Sequence, residues 1–99
     1  MTDTVSRSVY FVSESTGITA EAYGQSLLSQ FGDARFIKRY TPFINTREKA
    51  QALANELAHR AEAEGKKPIV FATMVDEEIN TLLKHAECHY FELFDRFMP

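Results

Sequence analysis

Apolar positions along this chain follow two alternating periods. Val9-Tyr10-Phe11-Val12 is an unbroken apolar run within residues 8–13, the pattern of a strand covered on both faces. Ala20, Tyr23, Leu27, Leu28 and Phe31 then recur at helical spacing, with Gly32 as a stop signal. Residues 35–41 alternate, with Phe36 and Tyr40 on one side and Arg35, Ile37 and Arg39 on the other. Those charges predict an edge strand, and Pro42 ends it.

A second helix is the clearest element. Asn45 followed by Glu48 reads as a capping-box start, and Ala50, Leu53, Ala54, Leu57, Ala58 and Ala61 form one apolar stripe before Gly65. Ile69-Val70-Phe71-Ala72 is another unbroken run, hence a second central strand. Asp76, Glu77 and Glu78 place negative charge at the start of a third helix with the stripe Ile79, Leu82, Leu83 and Ala86. Residues 90–94 predict a fourth strand.

Strand and helix alternating through short links imply parallel βαβ units, a Rossmann-like α/β domain with helices on both faces. The two unbroken strands belong in the centre and the charged one at an edge. The predicted order is therefore 2-1-3-4, with right-handed crossovers. Such a sheet reverses direction between its first and third strands, and ligands bind at that reversal, beyond the carboxyl ends of the strands. The loops that meet there are residues 13–19 and 72–76.

Composition narrows the class. With 99 residues, 44% hydrophobic, 25% charged, four Gly and three Pro, the chain is neither disordered, collagen-like nor low-complexity. One domain of this size buries about 65% of its unfolded surface, enough for one modest core. Residues 8–99 form that domain, and 1–7 are expected as a flexible lead-in. The net charge of −3 hides an uneven distribution: −3 over residues 1–33, +4 over 34–67 and −4 over 68–99. The balance speaks against a nucleic-acid module. The basic middle offers either attraction for a phosphorylated ligand or a plain solvated helix face.

Cys88 is the single cysteine, so no internal disulfide forms, and no apolar run reaches the length of a signal core or a membrane span. A reducing cytoplasm is the expected setting, with no membrane partner. Phe91, Leu93, Phe94, Phe97 and Met98 crowd the last nine residues, a pattern expected where a chain continues into a further element.

The chemically informative stretch is Ser13-Glu14-Ser15-Thr16-Gly17-Ile18-Thr19-Ala20-Glu21, where a strand gives way to a helix. Ser13, Ser15, Thr16 and Thr19 supply hydroxyls, Gly17 eases a tight turn, and the helix start supplies unpaired N–H groups. That set suits an anion or a target segment. The same residues also fit plain capping by Ser15 or Thr16, and both readings stand. Glu14 and Glu21 oppose a bare phosphate, whereas Lys38 and Arg39 lie on the neighbouring strand that ends near the loop. Thr73, in Thr73-Met74-Val75, and Thr41-Pro42-Phe43-Ile44 fall at carboxyl strand ends facing the same crevice.

Familiar nucleotide loops are absent from the sequence. Gly65-Lys66-Lys67 follows a helix instead of preceding one, and there is no G-x-G-x-x-G. His85, Cys88 and His89 lie close together, but a structural zinc would need a fourth ligand from Glu87, Glu92 or Asp95. A buried thiol beside surface histidines is expected, with no metal assigned, and His59 is expected in solvent. Catalytic Cys–His chemistry lacks a third residue that the sequence can position.

The strand followed by Ser13-Glu14-Ser15-Thr16-Gly17 and Thr19-Ala20-Glu21 resembles the opening of a known family. It contains the phosphoenolpyruvate synthase regulatory proteins and the pyruvate, phosphate dikinase regulatory proteins, together the kinase/pyrophosphorylases. Thr41-Pro42-Phe43-Ile44 fits in order, as does Pro68-Ile69-Val70-Phe71 with Thr73 and Glu78-Ile79, then Cys88 with residues 91–95. Two positions depart from the family pattern: Glu14 where aspartate is common, and Ile18 where glutamate is.

The resemblance implies a bifunctional enzyme. It phosphorylates a threonine of the target with ADP as donor and reverses this with inorganic phosphate, releasing pyrophosphate. The threonine is modified when the neighbouring catalytic histidine of the target is phosphorylated. Its partner is phosphoenolpyruvate synthase or pyruvate, phosphate dikinase. The family's P-loop lies in a carboxyl-terminal domain, so this chain corresponds to the amino-terminal domain, with no ADP or phosphate expected on it and no catalytic residue carried over. From the residues alone, the alternative is a non-catalytic α/β module that binds a protein or small anion.

Overall fold

The computed structural model describes residues 7–31 and 35–93. The Gly32 stop, the end of the fourth strand at Phe94, and the lead-in before Arg7 lie outside them, as do Phe97 and Met98. The elements run β1 (Arg7–Ser13), α1 (Ile18–Leu28) with a 3-10 turn at Ser29–Phe31, β2 (Phe36–Thr41) and α2 (Arg47–Glu64). They continue through β3 (Ile69–Thr73), α3 (Glu77–Lys84) and β4 (His89–Glu92). All strand pairs are parallel, in the order β2-β1-β3-β4. The predicted α/β architecture and strand order are those observed.

The order explains the layers. The chain crosses from β1 to β2 in one direction and from β2 to β3 in the other, so crossovers of one hand put α1 and α2 on opposite faces. On the α1 face, Val9, Phe11 and Phe71 pack with Ala20, Leu28 and Leu93. On the other, Tyr10, Val12, Val70 and Ala72 pack with Leu53 and Leu57 of α2 and with Ile79 and Leu83 of α3. Residues 9–12 of β1 and 69–72 of β3 are thus apolar without a break because successive side chains feed two different cores.

An aromatic ladder crosses the α1 face. Tyr40, Phe11, Phe71 and Phe91 occupy matching register positions on four adjacent strands, with ring centroids 5.3, 6.0 and 5.5 Å apart. Gly24 of α1 lies over the middle of this ladder. A Cβ there would overlap the Phe11 ring and press on Phe71. Gly24 is therefore the point of closest approach, and the predicted stripe is corrected accordingly. Ala20, Gly24 and Leu28 are buried, whereas Tyr23 is exposed.

Three boundaries also differ from expectation. The N-cap of α2 is Thr46, whose hydroxyl accepts the Lys49 N–H at 3.1 Å, and not Asn45. Ala58 is exposed, and Ala54 and Ala61 are only half-buried, so the stripe of α2 narrows to Ala50, Leu53 and Leu57. β4 starts one residue earlier than predicted and ends at Glu92. Its anchor to α3 is polar: the Asn80 amide donates to Glu92 at 3.1 Å and accepts the Tyr90 hydroxyl at 2.7 Å. Among the described residues, no helix is long and apolar enough to cross a membrane.

Candidate functional site

β1 and β3 end side by side, with Val12 opposite Ala72 and Ser13 opposite Thr73. Beyond them the chain leaves toward opposite faces, and the divergence opens a crevice of about 180 Å³. Six candidates named from the sequence line it, Ser13, Ser15, Thr16, Gly17, Thr19 and Thr73, whereas Thr41, expected to face the same crevice, does not. Their positions differ in kind. Ser13 and Thr73 are buried at the floor, Gly17 and Thr19 are half-buried, and Ser15 and Thr16 are exposed at the mouth.

Three loops are joined around the crevice by hydrogen bonds. Ser13 Oγ accepts the Ser15 N–H at 3.0 Å, which fixes the turn out of β1. The carbonyls of Ser13 and Ser15 accept the N–H groups of Ile44 and Phe43 at 2.8 and 2.9 Å, joining the β1–α1 loop to the β2–α2 loop. Glu14 Oε2 accepts the Asp76 N–H at 2.7 Å, joining it to the β3–α3 loop. The joint is strained at one point. Phe43 has φ 63°, a left-handed conformation that costs a bulky residue about 1–3 kcal/mol.

The start of α1 settles the capping question. Its N-cap is Gly17, at φ 87°, and no side chain caps the first turn. A residue with a Cβ is disfavoured there, which accounts for the glycine. Neither Ser15 nor Thr16 acts as the cap, so that reading is corrected. The first-turn amides of α1 stand at the crevice without a side-chain acceptor. Thr73 adds a further open group: it is only 5% exposed, yet its hydroxyl bonds to no described residue.

The expected basic neighbours do not reach the crevice. Lys38 donates to Gln25 at 3.0 Å and Arg39 donates to Ser8 at 3.1 Å, both away from the site. Lys38 lies on the α1 face and Arg39 on the other, as their alternation on β2 requires. Among the described residues, no lysine, arginine or histidine lines the cleft. Sequence reasoning missed the bridging role of Glu14, which depends on a contact between residues 62 positions apart. It also missed the apolar rim formed by Ile18 and Val75, although both were visible as apolar residues in polar loops.

Cys88 belongs to structure. Its Sγ donates to the Leu83 carbonyl at 3.7 Å, and burial pushes the thiol pKa up to about 11, away from thiolate chemistry at neutral pH. His85 and His89 are exposed on either side, and His59 is exposed on α2. Among the described residues, no group of three or more His, Cys, Asp or Glu side chains is arranged to hold a metal ion.

Comparison with known proteins gives this crevice a context. The kinase/pyrophosphorylase family model matches residues 9–99. The chain belongs to that family. A relative from Thiocapsa roseopersicina is 50% identical over 94 residues, covering 95% of this chain and 35% of the relative. Relatives from Alkalilimnicola ehrlichii and Stutzerimonas stutzeri are 46% and 41% identical over 92 residues, covering 93% of this chain and 33% and 34% of themselves. All three carry the name "Putative phosphoenolpyruvate synthase regulatory protein". The chain thus spans about a third of the length of the curated relatives it matches. No solved structure matches it.

Proposed function

We propose that this chain is the amino-terminal part of a bifunctional enzyme that regulates phosphoenolpyruvate synthase, or pyruvate, phosphate dikinase, by reversible threonine phosphorylation. Family membership across residues 9–99, with relatives named as regulators of the synthase, carries the reading. In the forward direction the threonine hydroxyl attacks the β-phosphorus of ADP; the bridging P–O bond breaks, AMP leaves and the hydroxyl proton is released. In the reverse direction an orthophosphate oxygen attacks the threonyl phosphorus. The bond to threonine breaks, its oxygen takes a proton, and pyrophosphate leaves.

Labour is divided within that reading. Phosphoryl transfer needs donor phosphates cradled by backbone amides, usually with a metal, and a group that orients the attacking hydroxyl. This chain contains no G-x-x-x-x-G-K-[ST] loop. Donor binding therefore falls to a carboxyl-terminal P-loop domain, within the roughly two-thirds of the relatives' length that this chain does not match. The crevice of hydroxyls and open amides is this chain's contribution, on the target side.

Incubating the full-length protein with ADP, Mg²⁺ and the histidine-phosphorylated synthase tests the assignment. Mass spectrometry should show a phosphothreonine on the synthase, and added phosphate should remove it with release of pyrophosphate. Residues 1–99 alone should leave the synthase unmodified. A synthase left unmodified by the full-length protein would overturn the reading.

A further inference from the structure

We propose that the crevice between β1 and β3 docks a polypeptide segment that sets an apolar side chain against Ile18 and Val75 with a cationic one beside it, in preference to a free phosphate. The proposal rests on the functional reading above, to which it adds the chemistry of the contact.

The rim supplies the first argument. Ile18 is 71% exposed and Val75 73%, and both line the crevice from opposite sides. Phe43, 51% exposed, stands on the third loop, its N–H bonded to the Ser15 carbonyl. Single exposed apolar residues are ordinary, but two facing each other across one cleft, with a third on the adjoining loop, mark a contact surface. A bare anion gains nothing from them.

The floor supplies the second. Thr73 is a buried residue whose hydroxyl opens on the crevice with no described partner, and the first-turn amides of α1 have no side-chain cap. These are donors and acceptors of the kind a peptide backbone satisfies, since each residue brings one carbonyl and usually one N–H. The cleft is also small. About 180 Å³ accommodates a side chain or a turn of backbone, well below the roughly 300–1,000 Å³ of pockets that enclose a drug-sized ligand.

Charge decides between a peptide and an anion. Residues 13–21 and 73–78 contain five carboxylates, Glu14, Glu21, Asp76, Glu77 and Glu78, and no cation. Arg47 is the nearby exception on the α2 side, and it is held by Glu78 at 2.8 Å. A phosphate would enter this field without a counterion from the lining residues. A peptide carbonyl uses the same amides at no net charge, and an adjacent lysine or arginine gains from the carboxylates.

The test uses the full-length protein and phosphoenolpyruvate synthase, with binding followed by surface plasmon resonance. Val75→Asp and Ile18→Asp are surface changes, and a melting curve for each verifies the fold. Each should weaken synthase binding about tenfold or more, and raising salt from about 0.05 to about 0.5 M should weaken wild-type binding. Unchanged affinity in both folded variants overturns the proposal, as does salt-independent binding. Saturable perturbation of the Thr16 and Thr73 amide resonances by inorganic phosphate alone overturns it independently. The functional reading fails separately: a wild type that binds the synthase at this crevice yet transfers no phosphoryl group disproves the enzyme and leaves the docking site standing.

Discussion

The two ends of this sheet treat their buried hydroxyls in opposite ways. At the amino end of β1, Ser8 is fully buried and fully engaged. Its N–H donates to Glu64 Oε1 at 3.1 Å, and its hydroxyl donates to Glu64 Oε2 while accepting from Arg39 Nε. Two residues on, the Tyr10 hydroxyl donates to Glu56 at 2.7 Å, and burial followed by that carboxylate raises its pKa. At the carboxyl end, Thr73 is nearly as buried but bonds to no described residue. An unpaired buried polar group costs about 1–3 kcal/mol. α2 carboxylates remove that cost for Ser8 and Tyr10, whereas at the other end the Thr73 hydroxyl is left open to the crevice. Closed polar clusters hold a domain together, while open ones are where a partner gains affinity.

The largest expected effect lies in the closed half. Leu57 is fully buried on α2 in the cluster that contains Tyr10. Leu57→Ala should cost about 2–5 kcal/mol, a large share of the stability of so small a domain. Urea denaturation measures it, and a loss below about 1 kcal/mol would mean that the α2 register is wrong. Glu64→Ala comes next. It strips both acceptors from Ser8 and should cost about 1–3 kcal/mol, whereas a surface carboxylate such as Glu62 should change stability by no more than about 0.5 kcal/mol.

Much of this contrast was legible in advance, and the illegible part has physical reasons. Val9 to Val12 and Ile69 to Ala72 announce strands with two buried faces, and the charges of β2 announce an edge; together they dictate the strand order. The crevice followed from that order. The alanines at 58 and 61 misled because a stripe on paper needs something to cover it. Here the carboxyl half of α2 meets the sheet through Glu56 and Glu64, so the apolar contact ends at Leu57. Asn45 and Thr46 are both good caps, and the choice depends on how the chain enters from Ile44, which is held by Ser13. Glu14 read only as a charge against phosphate, and its carboxylate also ties two loops together by accepting the Asp76 N–H. Only tertiary contact reveals that.

At the open end the expected effects fall on activity. Thr16 caps nothing and is exposed, so Thr16→Ala should leave stability within about 0.5 kcal/mol. If the crevice positions the target, the same change in the full-length enzyme should lower turnover at least tenfold in both directions, about 1.4 kcal/mol in the barrier. Wild-type rates from a folded Thr16→Ala protein would reduce the loop to a connector.

The smallest effect is the most discriminating. Thr73→Val keeps the branched shape and replaces only the hydroxyl, which in the free protein bonds to no described residue. That hydroxyl opens on the crevice, so replacing it should leave stability within about 0.5 kcal/mol. Ser8→Ala, at the other end, should lower it by about 1 kcal/mol or more, because Glu64 and Arg39 each lose a partner. The two substitutions delete the same chemical group from two buried strand residues, so their difference reports chiefly hydrogen-bond satisfaction. Thermal denaturation of both variants measures it. Equal losses would mean that the Thr73 hydroxyl is already satisfied within the free protein. The crevice would then offer a partner only the uncapped first-turn amides of α1.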